Sequence, residues 1–498
     1  MNKYILRMLA CVFMGILSVS CGEDYLDVKP TDSIDSKSAV ATTRDAMASL
    51  NGIHRTMYNS YKGMSAAGLP SVMLRMNALG DDYVMTAAGN GWFNGDYKWI
   101  DHRNEQSWSS FFPYLLFYKI IDNSNVIISG VMNAVGDEKA NEFIKAQALT
   151  YRAFSHHYLV QLYGKRYVVG KVNSQLGVPI MIKNTNSGIA RSTVEQVYAQ
   201  VIKDLDEAEA LFIKSGIERE NKSHFNVSVV YGLKARVYLT KGDWLNAQKY
   251  ARLAKAETTQ MVTDNFKSGF NNYKNKSWMW GAHMQDDQST YYASFFAFIS
   301  NNYSSTNIRT NPKAINSDLY KLIADNDIRK WWWDEDPTTL STVHADDEWT
   351  MPKKFKRFPY MNRKFHAASE SNSVGDIPFM RRAEMELIDA EASENLVSGT
   401  GSAVLKTFMT SRNPSYDISA NGLTVSDEIQ VQRRIELWGE GFRFLDLKRL
   451  NQSCIRGANH NPTLCKETNI PADSNKWEFM IPKNEVDSNP NLGGQNPA

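Results

Sequence analysis

The chain has 498 residues, of which 43% are hydrophobic, 22% charged and 11% aromatic. That composition suits one large core or two joined ones and excludes a disordered chain. Its 56 basic and 54 acidic side chains nearly cancel, which excludes the one-signed field that nucleic acid or an anionic lipid surface requires.

At the N-terminus, Lys3 and Arg7 precede an apolar run over 8–19, followed by Ser20 and Cys21. The run is shorter than the roughly 20 residues of a membrane-spanning helix, so residues 1–20 read as a secretory signal peptide. The string Leu17-Ser18-Val19-Ser20-Cys21 resembles a lipoprotein processing box with Leu17 displaced by one place, which makes Cys21 the expected lipidation site. Cleavage at Cys11 would leave too short an apolar stretch after Arg7 for export. At about 0.8 kcal/mol per buried methylene, several acyl chains anchor almost irreversibly, so the body needs no membrane-facing patch. Processing removes Lys3 and Arg7 and no acidic residue, leaving a formally neutral mature chain.

Apolar residues at three- and four-residue spacing predict helices over 39–58, 108–131, 137–162, 193–212 and 227–240. The last continues as a hairpin to Ala254 across Lys241-Gly242-Asp243-Trp244. Ala235, Tyr238, Ala247 and Ala254 fall at the offsets of a tetratricopeptide repeat, although an ordinary antiparallel helix pair fits the spacing as well. Residues 265–376, rich in Asn, Asp, Ser, Lys and aromatics, read as irregular structure with short strands. Helical pattern returns over 378–397, 403–411, 426–438 and 442–450. No sharp linker divides the chain, so two interdigitated parts, 21–265 and 266–498, are expected after the signal peptide. Cys454 and Cys465, ten residues apart across a polar loop, are expected to close a disulfide in an oxidising compartment. A zinc site using His460 between them falls short of four ligands.

Family-like strings then recur in order along nearly the whole mature chain. They are Asp24-Tyr25-Leu26-Asp27-Val28-Lys29-Pro30, Ala148-Leu149-Thr150-Tyr151-Arg152-Ala153-Phe154, and Gly232-Leu233-Lys234-Ala235-Arg236-Val237-Tyr238-Leu239. The C-terminal half carries Asp376-Ile377-Pro378-Phe379-Met380-Arg381-Arg382-Ala383-Glu384 and Arg434-Ile435-Glu436-Leu437-Trp438-Gly439-Glu440-Gly441-Phe442-Arg443-Phe444-Leu445-Asp446. Together these resemble the SusD/RagB family of nutrient-uptake outer-membrane lipoproteins. The resemblance implies a mainly α fold, with a tetratricopeptide-repeat-like helical scaffold packed against an irregular, loop-rich part with short strands. It also implies a SusC-type TonB-dependent transporter as partner, and oligosaccharide, or peptide in RagB-type relatives, as cargo. Glu23 and Asp24 look like the family's export tag, which implies an outward-facing position on the cell outer membrane.

An oligosaccharide-binding protein lays the C–H face of a sugar on an aromatic ring and captures hydroxyls with carboxylates, amides or guanidinium groups. The glycine-broken segment 81–99 has that composition and resembles a family segment in which an acidic residue and a tryptophan contact sugar. Asp81, Asp82, Trp92, Asn94 and Trp99 are its candidates. A second cluster, Trp278, Trp280, His283, Gln285, Asp286, Gln288, Tyr291 and Tyr292, adds Trp280 and Tyr291. Trp278 and Trp280 would share one face of a strand, where a core role fits equally. Trp331-Trp332-Trp333 reads as structure, as do Arg381, Glu384, Glu436, Glu440 and Arg443, which could satisfy one another across packed helices.

No nucleotide fingerprint, P-loop, His-Glu-x-x-His, Gly-x-Ser-x-Gly or paired Cys-x-x-Cys is present. Asp325, Asp327, Asp334 and Asp336 lack the order of a calcium loop. The expected chemistry is non-catalytic binding without cofactor or metal. A glycoside hydrolase, whose two carboxylates need no local signature, is the rival.

Overall fold

The computed structural model describes residues 37–288, 292–336 and 355–498; the expected signal peptide, Cys21 and Tyr291 lie outside them. Helix α1 (Thr43–Thr56) begins at a capping box, in which Thr42 Oγ1 accepts from the Asp45 N–H and the Asp45 carboxylate accepts from the Thr42 N–H. There follow α2 (Gly68–Ala78), α3 (Trp108–Gly130), α4 (Glu138–Tyr163), α5 (Val194–Ser215), α6 (Val227–Lys241) and α7 (Trp244–Ala254). From α3 onward each helix packs on its predecessor, the arrangement that the expected repeat scaffold requires. Then α8 (Arg382–Leu396) covers α7 and supports α9 (Thr400–Met409) and α10 (Val425–Glu436), while α11 (Arg443–Arg449) packs back on α2.

Two features depart from the sequence reading. All eleven residues of α2 are buried, so it has no polar face from which a period could be read. The segment expected as helix from 378 begins as strand, Ile377–Arg381, because the proline at 378 biases Ile377 away from helical backbone.

The strands are short. A four-stranded antiparallel sheet runs β1 (Tyr83–Met85), β5 (Lys313–Ile315), β7 (Met361–Asn362), β6 (Trp333–Asp334), with Tyr83 opposite Ile315 and Met85 opposite Lys313. Among the described residues three two-stranded pairings complete the set: β2 (Leu176–Pro179) with β3 (Arg191–Thr193), β4 (Trp278–Ala282) with β8 (Ile377–Arg381), and β9 (Cys454–Ile455) with β10 (Asn469–Ile470).

One continuous set of buried apolar side chains extends from Val40 to Leu492 and draws on both expected parts of the chain. The C-terminal tail is stitched onto the first helices. Arg191 donates to Asn496 Oδ1 (2.7 Å), and Asn496 Nδ2 donates to the carbonyls of Tyr163 (2.8 Å) and Phe479 (2.7 Å). Deeper in, Glu436 receives Arg381, Arg412 and Arg329, at 3.1, 3.1 and 3.3 Å, while Glu440 receives Arg381 and Lys364, each at 2.7 Å. This buried network locks α10 to β8 and to the irregular middle of the chain. Glu384 pairs instead with Arg236 (2.6 Å).

Between α6 and α7, Gly242 holds φ +66°, and a Cβ there would lie 2.5 Å from Val169 Cγ2. Left-handed backbone costs other residues about 1–2 kcal/mol. Gly242→Ala is therefore expected to lower the unfolding free energy by at least that much in urea titration, and an unchanged midpoint would refute the assignment. No helix among the described residues is long and apolar enough to cross a membrane.

Candidate ligand-binding site

Strand β1 delivers the chain into a glycine-rich loop, 86–93, which ends in a one-turn helix, Asn94–Tyr97. The loop is pinned at both ends. Asn311 Oδ1 accepts from the N–H groups of Thr86 (2.9 Å) and Ala87 (3.0 Å), and Thr86 Oγ1 donates to Pro312 O (2.8 Å). At the far end Asn94 Nδ2 donates to Ala88 O (2.9 Å). Gly89 holds φ +56°, and a Cβ there would meet the Asn311 side chain, so the close approach of loop to clamp selects glycine.

Beneath the loop, Lys313 is buried on β5, where its Nζ donates to Asn307 O (3.0 Å) and Asn311 O (2.6 Å) and lies 4.3 Å from the centroid of Phe298. Burial pushes its amine well below the ordinary lysine range. Phe93 turns inward onto Phe298, with ring centroids 4.9 Å apart. Its neighbour Trp92 stays half-buried at the surface. The edge of that indole rests on Gly63, where an added Cβ would stand 3.2 Å from Trp92 Cη2. The result is an indole on a fixed loop, where Asn90 Oδ1 accepts from the Trp92 N–H (3.4 Å) and the expected ligand residue Asn94 turns its amide into the loop.

The other expected ligand residues of this segment are turned into the fold. Asp81 accepts from Arg443 at Oδ1 (2.6 Å) and Oδ2 (3.1 Å), and Asp82 accepts from Arg434 (2.6 Å). Both aspartates are buried, and their carboxylates anchor α10 and α11 in place of capturing hydroxyls at the surface. Trp99 is only 2% exposed and packs edge-on against Trp477 at 4.9 Å. Trp280 is 1% exposed, enclosed by Phe154, Phe225 and Phe379. Neither ring has a face to offer a sugar.

Burial alone would raise the Asp81 carboxyl, but the guanidinium of Arg443, helped by that of Arg434, outweighs it and holds the group down to about 2. A depressed carboxylate contributes stability that is complete above its unfolded value near 4 and is lost as pH falls through the folded one. Asp81→Asn is thus expected to cost roughly 2–3 kcal/mol at pH 7. That gap should close as urea midpoints are followed down toward pH 2, and a gap that persisted in acid would contradict the assignment.

The second expected cluster is divided. Trp278 is buried beside Trp280, whereas His283, Gln285, Asp286 and Tyr292 are exposed. His283 Nδ1 lies 2.9 Å from Asp376 Oδ1, its ring 4.4 Å from that of Tyr273, and Asp286 accepts from Asn372 (3.1 Å). Burial raises the Tyr58 hydroxyl, Arg55 offsets part of this, and the charge of Asp287 adds to it. This turn therefore lies within electrostatic reach of the chain that leads to Gly63. The clamps Asn311 and Lys313 escaped the sequence reading; the turn-forming Asn311-Pro312 pair was their one local signal.

Cys454 and Cys465 are free, buried thiols, contrary to the expected disulfide. Cys454 lies in β9 with its Sγ toward Leu79 O (3.7 Å), and burial pushes its thiol up to about 12. Both nitrogens of His460 are engaged, Nδ1 with Tyr97 Oη (2.7 Å) and Nε2 with Asp81 O (3.0 Å). Trp331, Trp332 and Trp333 are all buried.

A mainly helical repeat scaffold, set against a loop-rich part that carries a surface indole, defines the class of protein. Residues 24–239 match a family model described as starch-binding associating with outer membrane, and residues 247–498 match that of the SusD family. The chain belongs to the SusD family. SusD-like protein P2 of Formosa agariphila is 26% identical over 254 residues, which make up 51% of this chain and 45% of that relative, under half its length. The crystal structure of a SusD-like carbohydrate binding protein from Bacteroides vulgatus, 26% identical, superposes with a TM-score of 0.77 over 91% of this chain and 97% of its own. Surface glycan-binding protein A of Bacteroides thetaiotaomicron, solved with laminarihexaose, shares the fold at 16% identity, with a TM-score of 0.68 over 91% and 99% of the two chains.

Proposed function

We propose that the mature protein, anchored through a lipid on Cys21, captures oligosaccharides outside the outer membrane and passes them to a SusC-type TonB-dependent transporter without cleaving them. The observation that carries capture is Trp92, an indole held at the surface by a loop clamped at both ends, so that little conformational freedom remains to be lost on binding. Family membership supports the outer-membrane setting and the transporter partner. The carbohydrate binding named for the Bacteroides vulgatus relative supports the ligand class. The body acts as a hinged lid over the transporter, and the lipid tether raises its local concentration there, so single-site affinity can be weak.

The test uses native electrophoresis of residues 22–498 through gels containing laminarin, amylopectin, xylan or inulin. Retardation by at least one polysaccharide, without new reducing ends after incubation, is the expected result. Release of reducing ends would replace this reading with the hydrolase, and binding of peptides with no polysaccharide retarding the protein would replace it with a RagB-type peptide carrier. Acyl labelling that is lost in Cys21→Ala, and copurification with a co-expressed transporter, test the anchor and the partner.

A further inference from the structure

We infer that the sugar site continues past Trp92 onto a second aromatic platform, Tyr61 and Trp108, so that the protein discriminates oligosaccharides by length. This rests on the carbohydrate reading above. Tyr61 projects from a tight turn in which its N–H donates to Ala66 O (2.8 Å), the Gly63 N–H donates to Ser60 Oγ (3.2 Å), and Ser60 bridges to Ala67. The ring is 58% exposed, yet its backbone is fixed. Its plane lies 17° from that of Trp108, with centroids 6.4 Å apart. Trp108, first residue of α3, is backed by Phe111 at 5.2 Å and Phe112 at 6.1 Å, and Lys62 Nζ stands 5.2 Å from its centroid.

These rings line an open groove of about 660 Å³ together with Pro482, Lys483, Asn484 and Asp487. That segment is held in place, because the Lys483 N–H donates to Glu105 O (2.9 Å) and Gln495 Nε2 donates to Glu105 Oε2 (3.0 Å). Amide side chains of Gln106 and Asn484 and the Lys483–Asp487 pair (2.9 Å) complete the rim. Flat rings beside amides and offsetting charges are the chemistry that takes a neutral, hydroxyl-rich chain.

Continuity selects the occupant. Gly63, on which the Trp92 indole rests, is two residues from Tyr61, a span of at most about 7 Å. A polymer of repeating sugar rings that stacks on Trp92 carries equivalent rings onward to Tyr61 and Trp108. Once the first platform is occupied, binding at the second is intramolecular and adds affinity only for chains long enough to reach it.

The experiment takes the polysaccharide that retards the wild type most strongly, fractionates its acid hydrolysate from disaccharide to octasaccharide, and measures each fraction by calorimetry. Wild-type affinity should rise with length. Tyr61→Ala should lose roughly three- to tenfold for the longest fractions and less than twofold for the disaccharide, as expected for one aromatic contact. Trp108→Leu, checked for an unchanged thermal midpoint, should reproduce that pattern. Equal affinity at every length in wild type and Tyr61→Ala, with binding still lost in Trp92→Ala, overturns the second platform and leaves the carbohydrate reading intact. Absence of retardation by every polysaccharide overturns both.

Discussion

Trp92→Ala is expected to weaken oligosaccharide binding by roughly 30-fold or more, the effect of deleting a central aromatic anchor worth about 2 kcal/mol. Stability should fall much less than for a fully enclosed ring, because Trp92 is only partly buried against the core and the loop is held by Asn311 and Asn94. Trp280→Ala supplies the contrast. That ring is enclosed by three phenylalanines, and its removal should cost about 3–5 kcal/mol of unfolding free energy. Calorimetric affinity and urea midpoints on the two variants separate anchor from core. A Trp92→Ala protein that binds normally would remove the main support for the proposed capture site.

Glu436→Gln is expected to lose about 3–5 kcal/mol of stability, because three buried guanidinium groups lose a shared counter-charge. Burial would raise the Glu436 carboxyl, but Arg412, Arg381 and Arg329 together hold it far below the ordinary carboxylate range. The stabilisation is therefore complete above the unfolded value near 4.3 and fades only in strong acid. Between pH 5 and pH 8 the gap between wild type and variant should stay constant in urea titration. A gap under about 1 kcal/mol, the scale of an exposed ion pair, would show that the network lacks the weight assigned to it.

The sequence disclosed the helices wherever one face is polar. α5 carries both an apolar stripe and a Thr193–Gln196 capping box, and the hairpin of α6 and α7 is marked by Gly242. It was silent on α2, whose burial on every side erases the pattern. Composition picked out the loop that bears Trp92 but could not tell an indole at the surface from one inside. Trp92 and Trp99 stand in similar company, and only the fold sends Trp99 toward Trp477. The aspartates misled for a related reason. Asp81 and Asp82 meet Arg443 and Arg434 from more than 350 positions away, a pairing that spacing does not reveal.

The stitch between Arg191, Tyr163 and Asn496 bears on how the molecule could be divided. Asn496 accepts from Arg191 and donates to the carbonyls of Tyr163 and Phe479, so a polypeptide without that segment loses partners at the base of its helical body. The interior is thus closed by a residue more than 300 positions from the helix end it covers, so neither half of the polypeptide is expected to hold its shape alone.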